Sequence, residues 1–268
     1  MTQNSVTTTS EANGRLWGAR SQVWAELQEG VHRPFYDAVF SRTEVSARTT
    51  YLDLGCGSGL AAQIATGLGA DVTGLDAAQG MIDIAQARVP QGKFHQGELE
   101  ELPFADGSFD VVTGFNSFQY ASNPVAALAE ARRVVVKNGW VAAVVWGDPG
   151  EMEATDVVSA LKPFMPAPPP GAAGPFALSD KDALRKLAED AGLSPADIFD
   201  VECPFEYPDE ETAVRGLCST GVAVKAAENS SDADVEEAYT MVARKYLQPD
   251  GSVRILAKFR CLLAHPKT

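Results

Sequence analysis

Tyr51-Leu52-Asp53-Leu54-Gly55-Cys56-Gly57-Ser58-Gly59-Leu60 is the stretch that decides the fold. An apolar run enters it, glycines stand at alternate positions, and a helical pattern from Leu60 to Leu68 leaves it. That order predicts a strand, a tight turn and the start of a helix. Glycine in such a turn permits positive φ and lets a ligand lie against bare backbone. The helix N-terminus adds N–H groups and partial positive charge. Just beyond, Asp71-Val72-Thr73-Gly74-Leu75-Asp76 reads as a second short strand ending in an acid. Asp76 lies roughly 20 residues past the turn, the separation at which nucleotide-type folds set a carboxylate against a ribose.

The spacing is G-x-G-x-G. A dinucleotide turn needs a third glycine where this chain has Leu60, which speaks against a nicotinamide cofactor. Further out, strands are predicted over 93–96, 109–114 and 140–146, with helices over 79–88 and 124–134 between them. Strands alternating with helices argue a parallel sheet with right-handed crossovers. The unbroken run Trp140 to Trp146 suits a strand buried on both faces.

Leu52-Asp53-Leu54-Gly55-Cys56-Gly57-Ser58-Gly59 resembles motif I of the class I S-adenosylmethionine-dependent methyltransferases. Gly97-Glu98-Leu99-Glu100-Glu101-Leu102-Pro103-Phe104 with Phe109-Asp110-Val111-Val112 is similar to the family's third and fourth strand region. Arg132-Arg133-Val134-Val135-Val136-Lys137-Asn138-Gly139-Trp140 is similar to its helix-to-strand block. The resemblance, nearest to the type 11 small-molecule domain, implies an α/β Rossmann-like sheet of seven strands, mostly parallel, ending in an antiparallel pair. It implies S-adenosylmethionine as cofactor and methyl transfer to a small molecule, or else a module that binds the cofactor without methylating.

The resemblance also distributes roles. Backbone at Gly55, Cys56, Gly57 and Gly59 would approach the cofactor. Asp53 would lie near its ammonium, or would orient the turn. Asp76 would take both ribose hydroxyls, or would cap the helix from Gln79. Ala77 follows it, and Met81 would lie against adenine or in ordinary core. Glu98 stands where many relatives have Asp and would take the adenine amine, with the Leu99 N–H on a ring nitrogen, or would be a solvated charge before a loop. Phe115 and Asn116 end the fourth strand, where ligands of parallel sheets lie, and Tyr120 follows on the same loop. No sure base is visible; His32 and Tyr120 are the candidates. Phe115-Asn116-Ser117-Phe118-Gln119-Tyr120 lacks the Asn/Asp-Pro-Pro-Tyr/Phe signature of amine methylation on macromolecules, which favours oxygen or carbon over nitrogen.

The flanks suggest the acceptor pocket. Residues 1–13 are rich in Thr, Ser, Asn and Gln and predict a disordered tail, leaving one domain over 14–268. Within it a cofactor-binding core occupies about 45–147, with cap segments at 14–44 and 148–250. Residues 14–40 read as helix, with Trp17, Ser21 and Trp24 on one face. That helix would be a lid, or simply packed; Arg15, Arg20 and Tyr36 are further wall candidates. A proline-rich stretch, 163–176, reads as a loop or pocket wall. A helix over 180–191 would be capped by Ser179, a sixth strand would run 198–207, two inserted helices 210–218 and 233–246, and a last strand 253–264. The proposed pocket is then Trp17, Trp24, Tyr36, Asn116, Tyr120 and Tyr207, unless these segments only complete the core.

Composition bounds the partners. The 268 residues are 45% hydrophobic, with formal net charge −14 and pI about 4.6. Phosphate backbones need clustered Lys and Arg, so nucleic acid is disfavoured. The four cysteines are dispersed and form no C-x-x-C, and the three histidines are dispersed too, so neither a disulfide framework nor a metal site is expected. The absence of long apolar runs predicts no membrane partner and a cytoplasmic protein. Oligomeric state is not legible.

Overall fold

The computed structural model describes residues 9–167 and 174–267. The N-terminal segment comprises α1 (Thr9–Gly18), α2 (Ser21–Val23), a π turn (Trp24–Gln28), a 3-10 turn (Glu29–His32) and α3 (Arg33–Arg42). Alternation follows: β1 (Thr50–Leu54), α4 (Leu60–Gly67), β2 (Asp71–Asp76), α5 (Gln79–Arg88), β3 (Lys93–Gln96), β4 (Phe109–Phe115), α6 (Pro124–Val134) and β5 (Val135–Trp146). The remainder is α7 (Thr155–Ala160), α8 (Lys181–Asp190), β6 (Leu193–Glu202), β7 (Phe205–Tyr207), α9 (Glu210–Cys218), α10 (Gly221–Asn229), α11 (Asp232–Lys245), β8 (Val253–Ile255) and β9 (Lys258–Pro266).

Seven strands form one sheet in the order β3-β2-β1-β4-β5-β9-β6. Strands β1 to β5 pair in parallel, and β9 runs antiparallel between β5 and β6. The dinucleotide order 3-2-1-4-5-6 has no such inserted strand. Side chains alternate across the sheet as the two-residue period requires. Tyr51, Val111, Ala142 and Val144 enter one core with α3, α4 and α9–α11, while Leu52, Leu54, Val112, Val141 and Val145 enter the other with α6 and α8. Both faces are thus covered, as a mostly parallel sheet demands.

Several flanking expectations are corrected. Residues 9–13 are helix rather than tail, because α1 is pinned: Ser10 donates to Glu98 and Asn13 Nδ2 to the Tyr120 carbonyl at 3.0 Å. Residues 1–8 lie outside the described set. The single helix expected over 14–40 is interrupted by a turn at 19–20 and again by the π and 3-10 turns, in which Gln28, Glu29 and His32 are buried. The cap of α8 is Asp180, accepting from Asp182 and Ala183 N–H, while Ser179 donates to the Trp146 carbonyl at 2.9 Å. The predicted sixth strand is two elements: β6 lies in the main sheet, and β7 leaves it to pair with β8. The last strand divides in the same way, and α10 lies between the two inserted helices expected. Its weak polarity pattern hides a helix capped by Thr220, whose hydroxyl accepts the Ala223 N–H at 3.1 Å. In the proline-rich stretch, Pro163 sits in a 3-10 turn over Lys162–Phe164, and Pro168 to Pro170 lie outside the described residues.

Candidate active site

The carboxyl ends of β1, β2 and β4, and the loop after β3, open into a cavity of about 980 Å³, mouth included. Its floor is built by the glycine turn. Gly55 and Cys56 N–H both donate to the Leu75 carbonyl, at 2.7 and 3.0 Å, locking β1's end to β2. Gly55, Gly57 and Gly59 have φ of 75°, 53° and 83°. Their surroundings differ. A β-carbon on Gly55 would strike Ser117 and one on Gly59 would strike Ala85, at 2.4 and 2.8 Å. One on Gly57 would meet only Glu29 Oε1 at 3.5 Å and Trp24 Nε1 at 3.8 Å, across open cavity. Of the three, Gly57 is the one whose missing β-carbon faces the cavity. Gly59, expected at the ligand, does not line the cavity and instead admits α5 against the start of α4.

Asp76 closes the turn: Oδ2 accepts the Gly57 N–H at 2.9 Å and Oδ1 the Ala78 N–H at 2.8 Å. Burial raises its pKa, and those two N–H groups oppose the rise. Asp53 is 1% exposed and takes the Thr113 hydroxyl at 3.0 Å, which in turn meets the Tyr51 hydroxyl at 2.6 Å. Burial pushes Asp53 up to about 7, with the Thr113 hydrogen bond opposing and the Glu29 and Asp76 charges adding to the rise. Ala77, Met81, Glu98, Leu99, Phe115 and Asn116 line the same cavity. Asn116, at φ 54°, turns the chain out of β4 and its N–H donates to the Val144 carbonyl at 2.8 Å.

The N-terminal segment forms the opposite wall. Trp17 and Trp24 meet edge to face at 5.2 Å, as their spacing predicts, and Trp17 meets Tyr120 at 5.7 Å. Tyr36 lies 4.8 Å from Phe115. His32, a candidate base, is buried against Trp24, Phe35, Phe205 and Phe259 and also lines the cavity. Burial lowers its pKa to about 4, so the imidazole is neutral at pH 7. Tyr120 is pushed up to about 12 by burial.

Tyr207 is not part of the wall. It is 3% exposed on β7, donates to Gln28 Oε1 at 2.6 Å, and lies outside the cavity lining. No described residue of 148–250 lines the cavity; α10 instead supports it from behind, with Gly221 against the Trp17 indole. Arg15 and Arg20 turn outward to Glu228 and Asp232. Sequence reasoning missed Glu29. It is 2% exposed, lines the cavity, accepts the Leu60 N–H at 3.3 Å and pairs with Arg88. The one available signal was an acid in a segment otherwise marked for packing.

Residues 52–143 match a family described as a methyltransferase domain, and this span holds the glycine turn, Asp76, Glu98 and Asn116. Over that span the chain is similar to the methyltransferase domain family. The chain is similar to the malonyl-[acyl-carrier protein] O-methyltransferase of Geobacter sulfurreducens, 29% identical over 205 residues, which are 74% of each chain. It is 38% identical over 88 residues to the demethylmenaquinone methyltransferase of Renibacterium salmoninarum, 33% of this chain and 37% of that one. The first relatives matched are covered over 19–37% of their own length in three cases and 42% in the fourth. Among solved structures, the [4+2]-cyclase SpnF superposes with a TM-score of 0.59 at 18% identity, over 97% of each chain, a likeness of fold alone. No helix of the described residues is long and apolar enough to cross a membrane.

Proposed function

We propose that the cavity holds S-adenosylmethionine and that the protein transfers its methyl group to a small-molecule acceptor, at oxygen or carbon rather than nitrogen. The Gly57 cradle carries this reading: a positive-φ glycine whose missing β-carbon faces open cavity, beside a carboxylate at the end of β2. Asp76 would receive the ribose hydroxyls on lone pairs its two N–H donors leave free. Glu98 would take the adenine amine, Leu99 a ring nitrogen, and Met81 the ring face. Asp53 would face the ammonium, and the Trp24 indole N–H would serve as donor beside Gly57. The cofactor, when bound, supplies a methyl carbon already activated by a sulfonium. The protein's own task is to hold an acceptor in line with it and to keep water away. Neutral His32 and Tyr120 would receive or orient the acceptor's proton. The four cysteines are free and buried, which supports a reducing, cytoplasmic setting.

Calorimetry with S-adenosylhomocysteine and with NAD tests the cofactor. Binding of the first and not the second is expected, and Asp76→Ala should weaken it by about 1–3 kcal/mol. Labelled S-adenosylmethionine with a metabolite extract tests the reaction. Tight cofactor binding with label on no acceptor would instead support a cofactor-binding module that does not methylate.

A further inference from the structure

The charge pattern of the cavity bears on the acceptor. The lining holds five carboxylates and, among the described residues, neither lysine nor arginine. Residues 1–8, 168–173 and 268, outside the described set, contain no basic side chain either. Arg88, against the lining residue Glu29, is committed to that carboxylate. His32 is the remaining lining group able to carry positive charge, and its apolar burial keeps it neutral.

The carboxylates are matched in turn. Glu29 has Arg88 and the Leu60 N–H, Asp76 two backbone N–H groups, and Asp53 the Thr113 hydroxyl. Glu98 receives Ser10, and Glu100 Oε1 accepts the Asn123 N–H at 3.1 Å. Away from Asp76 and Glu98 the wall is rings: Trp17, Trp24, Phe35, Tyr36, Phe115 and Tyr120, with Asn116 and Ser117 as neutral polar groups.

We propose that the acceptor is an uncharged, ring-bearing small molecule and that the cavity rejects anionic ones. A carboxylate or phosphate entering here gives up its water, meets no lysine or arginine of the lining and faces like charge. A cationic acceptor meets ring faces, but Asp53, Asp76 and Glu98 would be taken by the cofactor and Glu29 is held by Arg88 and Glu100 by the Asn123 N–H, so its lost hydration is only partly replaced. The proposal names the substrate class of the reaction inferred above, but its binding test does not depend on turnover.

The test is a size-matched trio, 1-naphthol, 1-naphthoate and 1-naphthylmethylammonium, titrated by calorimetry at pH 7 into the full chain with S-adenosylhomocysteine present. Naphthol is expected to bind at least tenfold more tightly than either ion. Naphthoate or the ammonium binding as tightly as naphthol overturns the proposal, as does binding by none of the three. Asn13→Lys places a cation on the α1 wall and should raise naphthoate affinity at least tenfold; an unchanged value means that charge is not what discriminates, which also overturns it. Protein that ignores S-adenosylhomocysteine yet keeps the naphthol preference refutes the cofactor assignment and leaves this one standing.

Discussion

The Glu29 carboxylate accepts the backbone N–H of Leu60 at 3.3 Å, so the helix that leaves the glycine turn is capped by a side chain 31 positions earlier. Its second oxygen holds Arg88 at the end of α5. One buried acid thus ties the N-terminal segment to both helices that flank β2.

Glu29→Ala should destabilise the fold by about 3–5 kcal/mol, the usual result of leaving one partner of a buried pair unmatched. Glu29→Gln keeps an acceptor for Leu60 and should lose less. Urea denaturation of the three proteins checks both the size and the order; equal stability of Glu29→Ala and the parent would show that Arg88 finds water instead.

Asp53 sets a pH dependence. Its folded pKa of about 7 lies above the ordinary carboxylate value near 3.9. Between those limits the folded chain holds a proton that the unfolded chain has released, so this group's contribution to stability falls as pH rises from about 4 to 7 and then levels. Asp53→Asn should remove that slope, read as Tm against pH. A cation bound beside Asp53 favours its ionised form, so S-adenosylmethionine affinity should rise through pH 7 in the parent and lose that rise in the variant.

Gly57→Ala and Gly59→Ala should separate binding from folding. At Gly59 the new methyl meets the Ala85 β-carbon at 2.8 Å and its α-carbon at 3.0 Å, and thermal stability should drop. At Gly57 nearby atoms lie at ordinary contact distance, so the fold should bear mainly the backbone strain of positive φ, of order 1 kcal/mol. Its cofactor affinity should fall more than that of Gly59→Ala. Calorimetry beside thermal melts would reject this assignment if the two variants exchanged behaviours.

Trp24→Ala and Tyr207→Ala should likewise part. Trp24 faces the cavity, and its loss should raise acceptor KM or lower turnover. Tyr207 faces Gln28, so its loss should cost stability and leave turnover per folded molecule near the parent's. A turnover defect in Tyr207→Ala without lost stability would return β7 to the site.

The sheet was legible because each strand announces itself twice, by apolar content and by the turn that follows. Strand β3 and helices α5 and α6 fall on their predicted bounds, and α6 begins at Pro124 behind Asn123, whose side chain caps Ala126. The glycine turn and Asp76 were legible because only a close approach requires that spacing. Tyr207 and His32 were not. An aromatic or a histidine outside a motif carries no mark of which neighbour will bury it, and both are placed by contacts distant in sequence. Residues 24–32 read as helix because their composition is helical; the π and 3-10 turns follow from the need to bury Gln28 and Glu29, which local periodicity does not encode.

The anchors of α1 have a consequence for the order of assembly. Its first-turn residues reach Glu98 and Ser122, Arg15 pairs with Glu228, and Arg20 donates to the Cys218 carbonyl, 198 positions on, and to Asp232, 212 on. Strands β1, β2 and β4, by contrast, find their neighbours by residue 144. Contacts of such long sequence separation close late, after the loops between them have been fixed. During synthesis the cavity's aromatic wall leaves the ribosome before the sheet it will cover, and its anchors on α9, α10 and α11 close only after those helices have followed.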